Sequence, residues 1–205
     1  MSKAVMLSIR PKWCEKIING DKTIEVRKTR PKMKTPFKCY IYCTLQGCNE
    51  FFRVDLGGDV AKWNRGKWAD RKGKVIGEFT CDRIDWITHI GYTGIPNLVE
   101  TRICDAATMR TSPVGGLLNA ACLTPKMLND YLAWGDGYGW HISDLRIYDE
   151  ARELSEFRRA CPNSWYCESC AMYWENNGTC RNESLQLKRA PQSWCYVEEA
   201  RDEHC

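Results

Sequence analysis

At Asn19-Gly20 the hydrophobic period of this chain changes, and that change constrains the fold more than any other feature. Before it, Trp13, Cys14, Ile17 and Ile18 recur at helical spacing, and Asn-Gly is a good helix stop. After it the period is two: Ile24 and Val26 point one way, while Thr23, Glu25 and Arg27 point the other. The alternation predicts a strand with one polar, functionalised face. Ala4 to Ile9 is a short apolar run stopped by Arg10-Pro11 and reads as an earlier strand. Phe37 to Thr44 is a further strand, on which Tyr40 and Tyr42 read as packing a second face rather than stacking a base.

Residues 45–73 hold five glycines and no clear period, so a long loop or inserted segment is expected there. Strand character returns from Lys74 to Trp86, and Thr88 to Leu123 reads as irregular. Thr124 then caps a helix with Pro125 in its first turn, an apolar stripe of Met127, Leu128, Tyr131 and Leu132, and Gly135 at its end. Trp140 to Tyr148 is the last good strand. Short strands with brief helices between them predict an α+β barrel, not a βαβ sheet. At 205 residues the chain suits one domain over residues 1–157 and a Cys-rich C-terminal extension over 158–205, which reads as loop-like.

No run of eighteen apolar residues exists, which excludes an apolar helical membrane span. Met1 to Trp13 lacks an apolar signal core, and thirteen cysteines make an odd count. Both lead to the expectation of a cytoplasmic protein with reduced thiols or a metal rather than a disulfide framework. The net charge of +4 is unevenly spread: residues 1–74 carry 18 Lys/Arg against 7 Asp/Glu, and the remainder 12 against 19. Ten basic residues fall between Arg10 and Lys38, and Lys62, Arg65, Lys67, Arg71 and Lys72 alternate with Trp63 and Trp68. Basic groups with interleaved aromatics suit a phosphate-bearing polymer whose bases can stack. A solvated basic face with tryptophans docked on the core is the other reading.

Glu25 and Arg27, neighbours on one strand face, can form an ion pair or both reach a ligand. A carboxylate accepts from an exocyclic amine, and a guanidinium donates twice to a carbonyl or phosphate. Arg10 is placed to line a cleft mouth or to sit in solvent, and Lys22 to reach a ligand or to cap helix carbonyls. His89 and His141 lie in no H-x-E or H-E-x-x-H pattern, and no G-x-S-x-G, Walker or dinucleotide loop occurs. In the extension, the Cys167-x-x-Cys170 pair, Cys180, and either Cys161 or Cys195 give four thiols in reach of a structural zinc ion. An Fe–S cluster and a set of reduced core cysteines are the alternatives, and no cofactor is required.

The segment Gly20-Asp21-Lys22-Thr23-Ile24-Glu25-Val26-Arg27 resembles the G-x-K-x-x-E-x-R signature of ASCH domains, members of the PUA-like superfamily of small β-barrels. Ser8-Ile9-Arg10-Pro11, Gly73 to Phe79 and Gly139-Trp140-His141-Ile142 also look like this family, so the resemblance covers residues 3–157. It implies a PUA-like barrel of phage or bacterial type whose cleft binds RNA, DNA or a modified nucleoside. Arg10, Lys22, Thr23, Glu25 and Arg27 would line that cleft, and Lys62 to Lys72 would hold phosphates. One branch of the family is similar to an N4-acetylcytidine amidohydrolase built on the motif lysine, a threonine three positions on, and a downstream glutamate. Lys22 matches the lysine, Glu25 stands at the threonine position, and Glu100 is the candidate glutamate, with Thr23 a substitute hydroxyl. The resemblance thus leads to a nucleic-acid or nucleobase binding module, with an N4-acylcytidine amidohydrolase or ribonuclease as the enzyme alternative. A protein-interaction module using the aromatic, Cys-rich tail is the third reading. The sequence does not fix the oligomeric state.

Overall fold

The structure, a computed structural model, describes residues 2–45, 70–90, 100–104, 110–133, 135–161, 170–175 and 182–200. The chain divides into two compact units, one of Met1–Lys12, Lys38–Glu78 and Arg146–Cys205, the other of Trp13–Phe37 and Phe79–Leu145.

The first unit is built on a five-stranded sheet. Its strands are β1 (Lys3–Ile9), β3 (Phe37–Cys43), β4 (Val75–Cys81), β9 (Ser143–Arg152) and β10 (Trp194–Glu198), in the order β10-β1-β3-β4-β9. β1 runs parallel to β3, with Met6 beside Tyr40, and antiparallel to β10, with Met6 beside Cys195. Both faces of β1 and of β3 are buried, which explains why these strands read as near-continuous apolar runs. Ala4, Met6, Tyr40, Tyr42, Val75, Phe157, Leu187 and Val197 form one buried cluster. Tyr40 stacks edge-on against Phe157 at 4.9 Å, and its hydroxyl accepts from the Ala200 amide at 2.9 Å, so the tyrosines pack as expected.

Residues 158–200 read as loop-like from the sequence, but they carry β10, two bridge pairings at Arg158 and Arg159, and the core residues Leu187 and Val197. A five-residue strand gives too few alternations to announce itself. A short helical turn, α4 (Ala171–Trp174), also lies in this stretch. A Cβ at Gly77 of β4 would stand 2.5 Å from the Arg146 carbonyl oxygen of β9 and 3.0 Å from the Ile147 Cα. Both are backbone atoms of a paired strand and cannot swing aside. Gly77→Ala is therefore expected to lower stability by about 1–3 kcal/mol, read as a lower urea midpoint at unchanged slope; an unshifted midpoint would contradict the close approach.

The second unit also carries a five-stranded sheet, in which consecutive neighbours run antiparallel. Its strands are β2 (Ile24–Arg27), β5 (Ile84–Ile90), β6 (Glu100–Cys104), β7 (Thr111–Pro113) and β8 (Gly137–His141), in the order β2-β8-β5-β6-β7. The helices α1 (Pro11–Ile18), α2 (Gly115–Ala121) and α3 (Pro125–Leu132) complete the described elements of this part of the chain. One face of the sheet packs Ile24, Val26 and Ile87 against Leu117, Leu118 and Ala121 of α2 and Leu128 and Leu132 of α3. The expected cap of α3 is present, with the Thr124 hydroxyl oxygen accepting from the Met127 amide at 3.2 Å. Of its apolar stripe only Leu128 and Leu132 are buried; Met127 and Tyr131 face solvent.

The strand character expected over Lys74 to Trp86 is present as two strands, β4 and β5, separated at Asp82-Arg83, and the stretch expected to be irregular contains β6, β7 and α2. Gly115-Gly116 open α2, whose seven residues are too few for a clear helical period. The α+β class holds, with short helices and two sheets. A closed barrel does not form among the described residues: each sheet ends in two edge strands, β10 and β9 in one, β2 and β7 in the other, whereas closure needs the first and last strands to pair. No helix among the described residues is long and apolar enough to cross a membrane.

Candidate functional site

Lys22, Glu25 and Arg27 come together within the second unit and are all buried, at 3%, 6% and 7% exposure. The local sequence explains how. Gly20 takes a φ of +78°, the left-handed turn that ends α1, and the Lys22 amide donates back to the Lys16 carbonyl at 3.0 Å. Thr23 then donates to the Ala120 carbonyl of α2 at 2.8 Å, which sets the Lys22 side chain over the end of that helix.

The Lys22 ammonium donates to the Ala121 carbonyl at 2.9 Å, to the Ile24 carbonyl at 2.8 Å, and to the Glu25 carboxylate at 3.2 Å. Its three hydrogens are thereby used, while its charge complements the carboxyl end of α2. The Trp13 ring lies 5.1 Å from the same nitrogen. Arg27 completes the cluster, its Nη2 3.0 Å from the other Glu25 oxygen. One carboxylate thus sits between two cations, and the buried cluster carries one net positive charge.

The register of β2 on β8 decides what surrounds it. Glu25 lies opposite Trp140 and Arg27 opposite Tyr138, so these four side chains share a sheet face. On the next strand Ile84 lies opposite Trp140 and Trp86 opposite Tyr138, extending the same face. Trp140 is fully buried, with Phe37 edge-on to it at 5.8 Å. The segment after β2 returns to this face: the Arg30 guanidinium stands 5.6 Å from the Tyr138 ring. Arg30, Pro31, Lys32, Met33, Lys34, Thr35 and Ile84 line a pocket of about 470 Å³, within the range of small-molecule sites.

The remaining expected residues are placed differently. Thr23 is exposed just ahead of β2. Arg10 is exposed and belongs to the first unit. Glu100 opens β6 beside Ile90, with its side chain outside the described residues. Lys62, Arg65 and Lys67 lie outside the described residues too, as do Trp63 and Trp68. Arg71 donates to the Asp149 carbonyl at 3.4 Å, and Lys72 is half-buried.

Of the candidate metal ligands, Cys167 and Cys180 lie outside the described residues; Cys161 is half-buried and Cys170 exposed. Cys195 sits on β10, where burial pushes its thiol above the usual range. Among the described residues no three potential ligands gather around one point. Burial likewise pushes the Cys81 thiol up to about 12, which leaves it an inert core thiol. His141 pairs with Asp85 at 2.8 Å, on the sheet face opposite Glu25, because His141 lies beside Ile24 in the register.

Sequence reasoning missed Tyr138 and Trp140 as neighbours of the cluster. The signal was present in the Gly137-Tyr-Gly-Trp alternation, which puts both aromatics on one side and two glycines on the helix side. A Cβ at Gly139 would stand 2.8 Å from Leu117 Cδ1, so the glycines let α2 approach while the aromatics face Glu25.

No protein-family model matches the chain, and no curated protein matches it. Among solved structures the chain is similar to the crystal structure of ASCH from Zymomonas mobilis, at a TM-score of 0.44 and 14% identity over 96% of this chain and 88% of that one. A mutant form of the same Zymomonas mobilis protein gives a TM-score of 0.49 at 14% identity, over 96% of this chain and 89% of that one.

Proposed function

We propose that the second unit binds a nucleobase, its edge read by Glu25 and Arg27 and its ring held against the half-buried Tyr138. The carrying observation is the burial of three charges in one cluster. A buried ion cluster is neutral or unfavourable beside hydrophobic side chains of similar volume, so stability gives little reason to keep it, and a ligand does. Carboxylate and guanidinium together offer an acceptor for an exocyclic amine and a fork of donors for a ring nitrogen or carbonyl. The resemblance of Gly20 to Arg27 to the ASCH signature supports the same reading. An N4-acylcytidine amidohydrolase or ribonuclease in this cleft is the weaker reading, because Lys22 would first have to abandon two carbonyls and a carboxylate.

The test is calorimetric titration with adenosine, guanosine, cytidine, uridine and N4-acetylcytidine against the wild-type chain and Arg27→Lys. Lysine keeps the charge and loses the planar fork. Wild type is expected to prefer one base by about tenfold or more, and Arg27→Lys to lose that preference, as one bidentate contact is worth about 1–3 kcal/mol. Equal binding of all five, or a preference untouched by Arg27→Lys, would overturn the reading. Chromatography of the N4-acetylcytidine sample reads turnover in the same experiment, and deacetylation would move the assignment to the enzyme.

A further inference from the structure

The pocket beside the aromatic face has a wall of cations that the base-reading cluster does not use. Between Lys28 and Phe37 the chain places Arg30, Lys32 and Lys34 at every second residue, all exposed, with Pro31 buried and Met33 half-buried between them. The segment is irregular, with bends at Lys32-Met33 and Thr35-Pro36, yet it turns Pro31 and Met33 inward and the three cations outward. It is held at both ends: Arg30 packs over Tyr138, and Phe37 packs edge-on against Trp140. The three cations therefore do not belong to a trailing loop. They edge a pocket of about 470 Å³ whose opposite lining residue is Ile84, and none of the lining residues is acidic.

Distance connects this wall to the cluster. Ile84 lies opposite Trp140, which lies opposite Glu25, so pocket and carboxylate are two strands apart, about 10 Å at the usual strand spacing. That is the span from the pairing edge of a nucleobase to the phosphate on its sugar. Three cations edging one pocket with no acidic residue in its lining suit a dianionic group and not a second base.

We infer that Arg30, Lys32 and Lys34 form the phosphate subsite of the pocket, so that the ligand is a nucleotide carrying a phosphate on its sugar rather than a free base or nucleoside. The inference rests on the nucleobase reading for the position of the base, while the cations stand independently of it. It places a phosphate contact in the segment after β2, separate from the basic stretch at Lys62, Arg65 and Lys67, which lies outside the described residues.

The experiment titrates the four ribonucleoside 5′-monophosphates, the corresponding nucleosides and inorganic phosphate into the full chain at low salt. It is repeated with the triple variants Arg30→Gln/Lys32→Gln/Lys34→Gln and Arg30→Lys/Lys32→Arg/Lys34→Arg. The wild type should bind at least one monophosphate about tenfold or more tightly than its nucleoside, with the gain shrinking as salt rises. The glutamine variant should lose that gain and keep the nucleoside affinity, and the charge-conserving variant should retain the gain. Arg30 also packs over Tyr138, so the double variant Lys32→Gln/Lys34→Gln, which leaves that contact in place, must show the same loss of the phosphate gain with the nucleoside affinity kept. Equal affinity for nucleotide and nucleoside, or a gain that survives the glutamine variant, overturns the subsite. Inorganic phosphate that binds through these cations while base identity has no effect upholds the anion site and overturns the nucleobase reading. Nucleosides that bind selectively without a phosphate gain do the reverse.

Discussion

Replacing Glu25 with glutamine is expected to destabilise the chain by about 3–5 kcal/mol, because it leaves two buried cations facing a neutral amide. Lys22 and Arg27 reach the Glu25 oxygens at 3.2 and 3.0 Å, and the three side chains expose 8% or less, so water does little to screen what remains. The amide can still accept one hydrogen bond from either partner; it cannot neutralise them, and its own NH₂ would point donors at a cation. The loss should appear in urea unfolding as a lower midpoint with the slope unchanged, and it should shrink in Glu25→Asp, which keeps the charge at a shorter reach. A loss below about 1 kcal/mol would be that of an exposed ion pair and would contradict the burial of the cluster. Arg27→Lys, by contrast, keeps every charge, which is why it is the better probe of base recognition.

Much of this site is legible in the amino-acid sequence. The Asn19-Gly20 stop and the alternation through Thr23 to Arg27 put Glu25 and Arg27 on one strand face, and the residues lie there. What the alternation hides is depth. A charged residue on a strand face reads as solvent-facing, and nothing within eight residues shows that Trp140, more than a hundred positions away, covers it. Thr23 shares the period of Glu25 and Arg27, yet it lies outside the ladder and is exposed, because the pairing of β2 with β8 starts at Ile24 and His141. The helix α3 is legible from its Thr124-Pro125 start, while β6, β7, α2 and β10, of three to seven residues each, offer too few repeats to establish a period. Register between strands distant in sequence is set by packing and turns, so the Glu25–Trp140 and Arg27–Tyr138 neighbours could come only from three dimensions.

Lys22→Met should cost about as much as the loss of Glu25, about 3–5 kcal/mol, for a different balance of reasons. Methionine fills most of the lysine volume, so packing changes little. What disappears is the donor to the Ala121 and Ile24 carbonyls, two buried acceptors that cost about 1–3 kcal/mol each when left unsatisfied. The Glu25 carboxylate would keep Arg27 alone. Because the two residues share one network, their effects should not add: the double variant Lys22→Met/Glu25→Gln is expected to be less destabilised than the sum of the singles by about 1–3 kcal/mol. Additive losses would mean that the lysine serves the helix end and the carboxylate independently. The cycle also bears on how the motif lysine acts. If Lys22 holds Glu25 in place, nucleoside binding should weaken in parallel in the two single variants and no further in the double. A lysine that instead met the ligand directly would weaken binding by its own increment in the double variant. The ammonium already has three acceptors for its three hydrogens, so the expected result is the positioning one: the lysine orients the carboxylate and ties it to the end of α2.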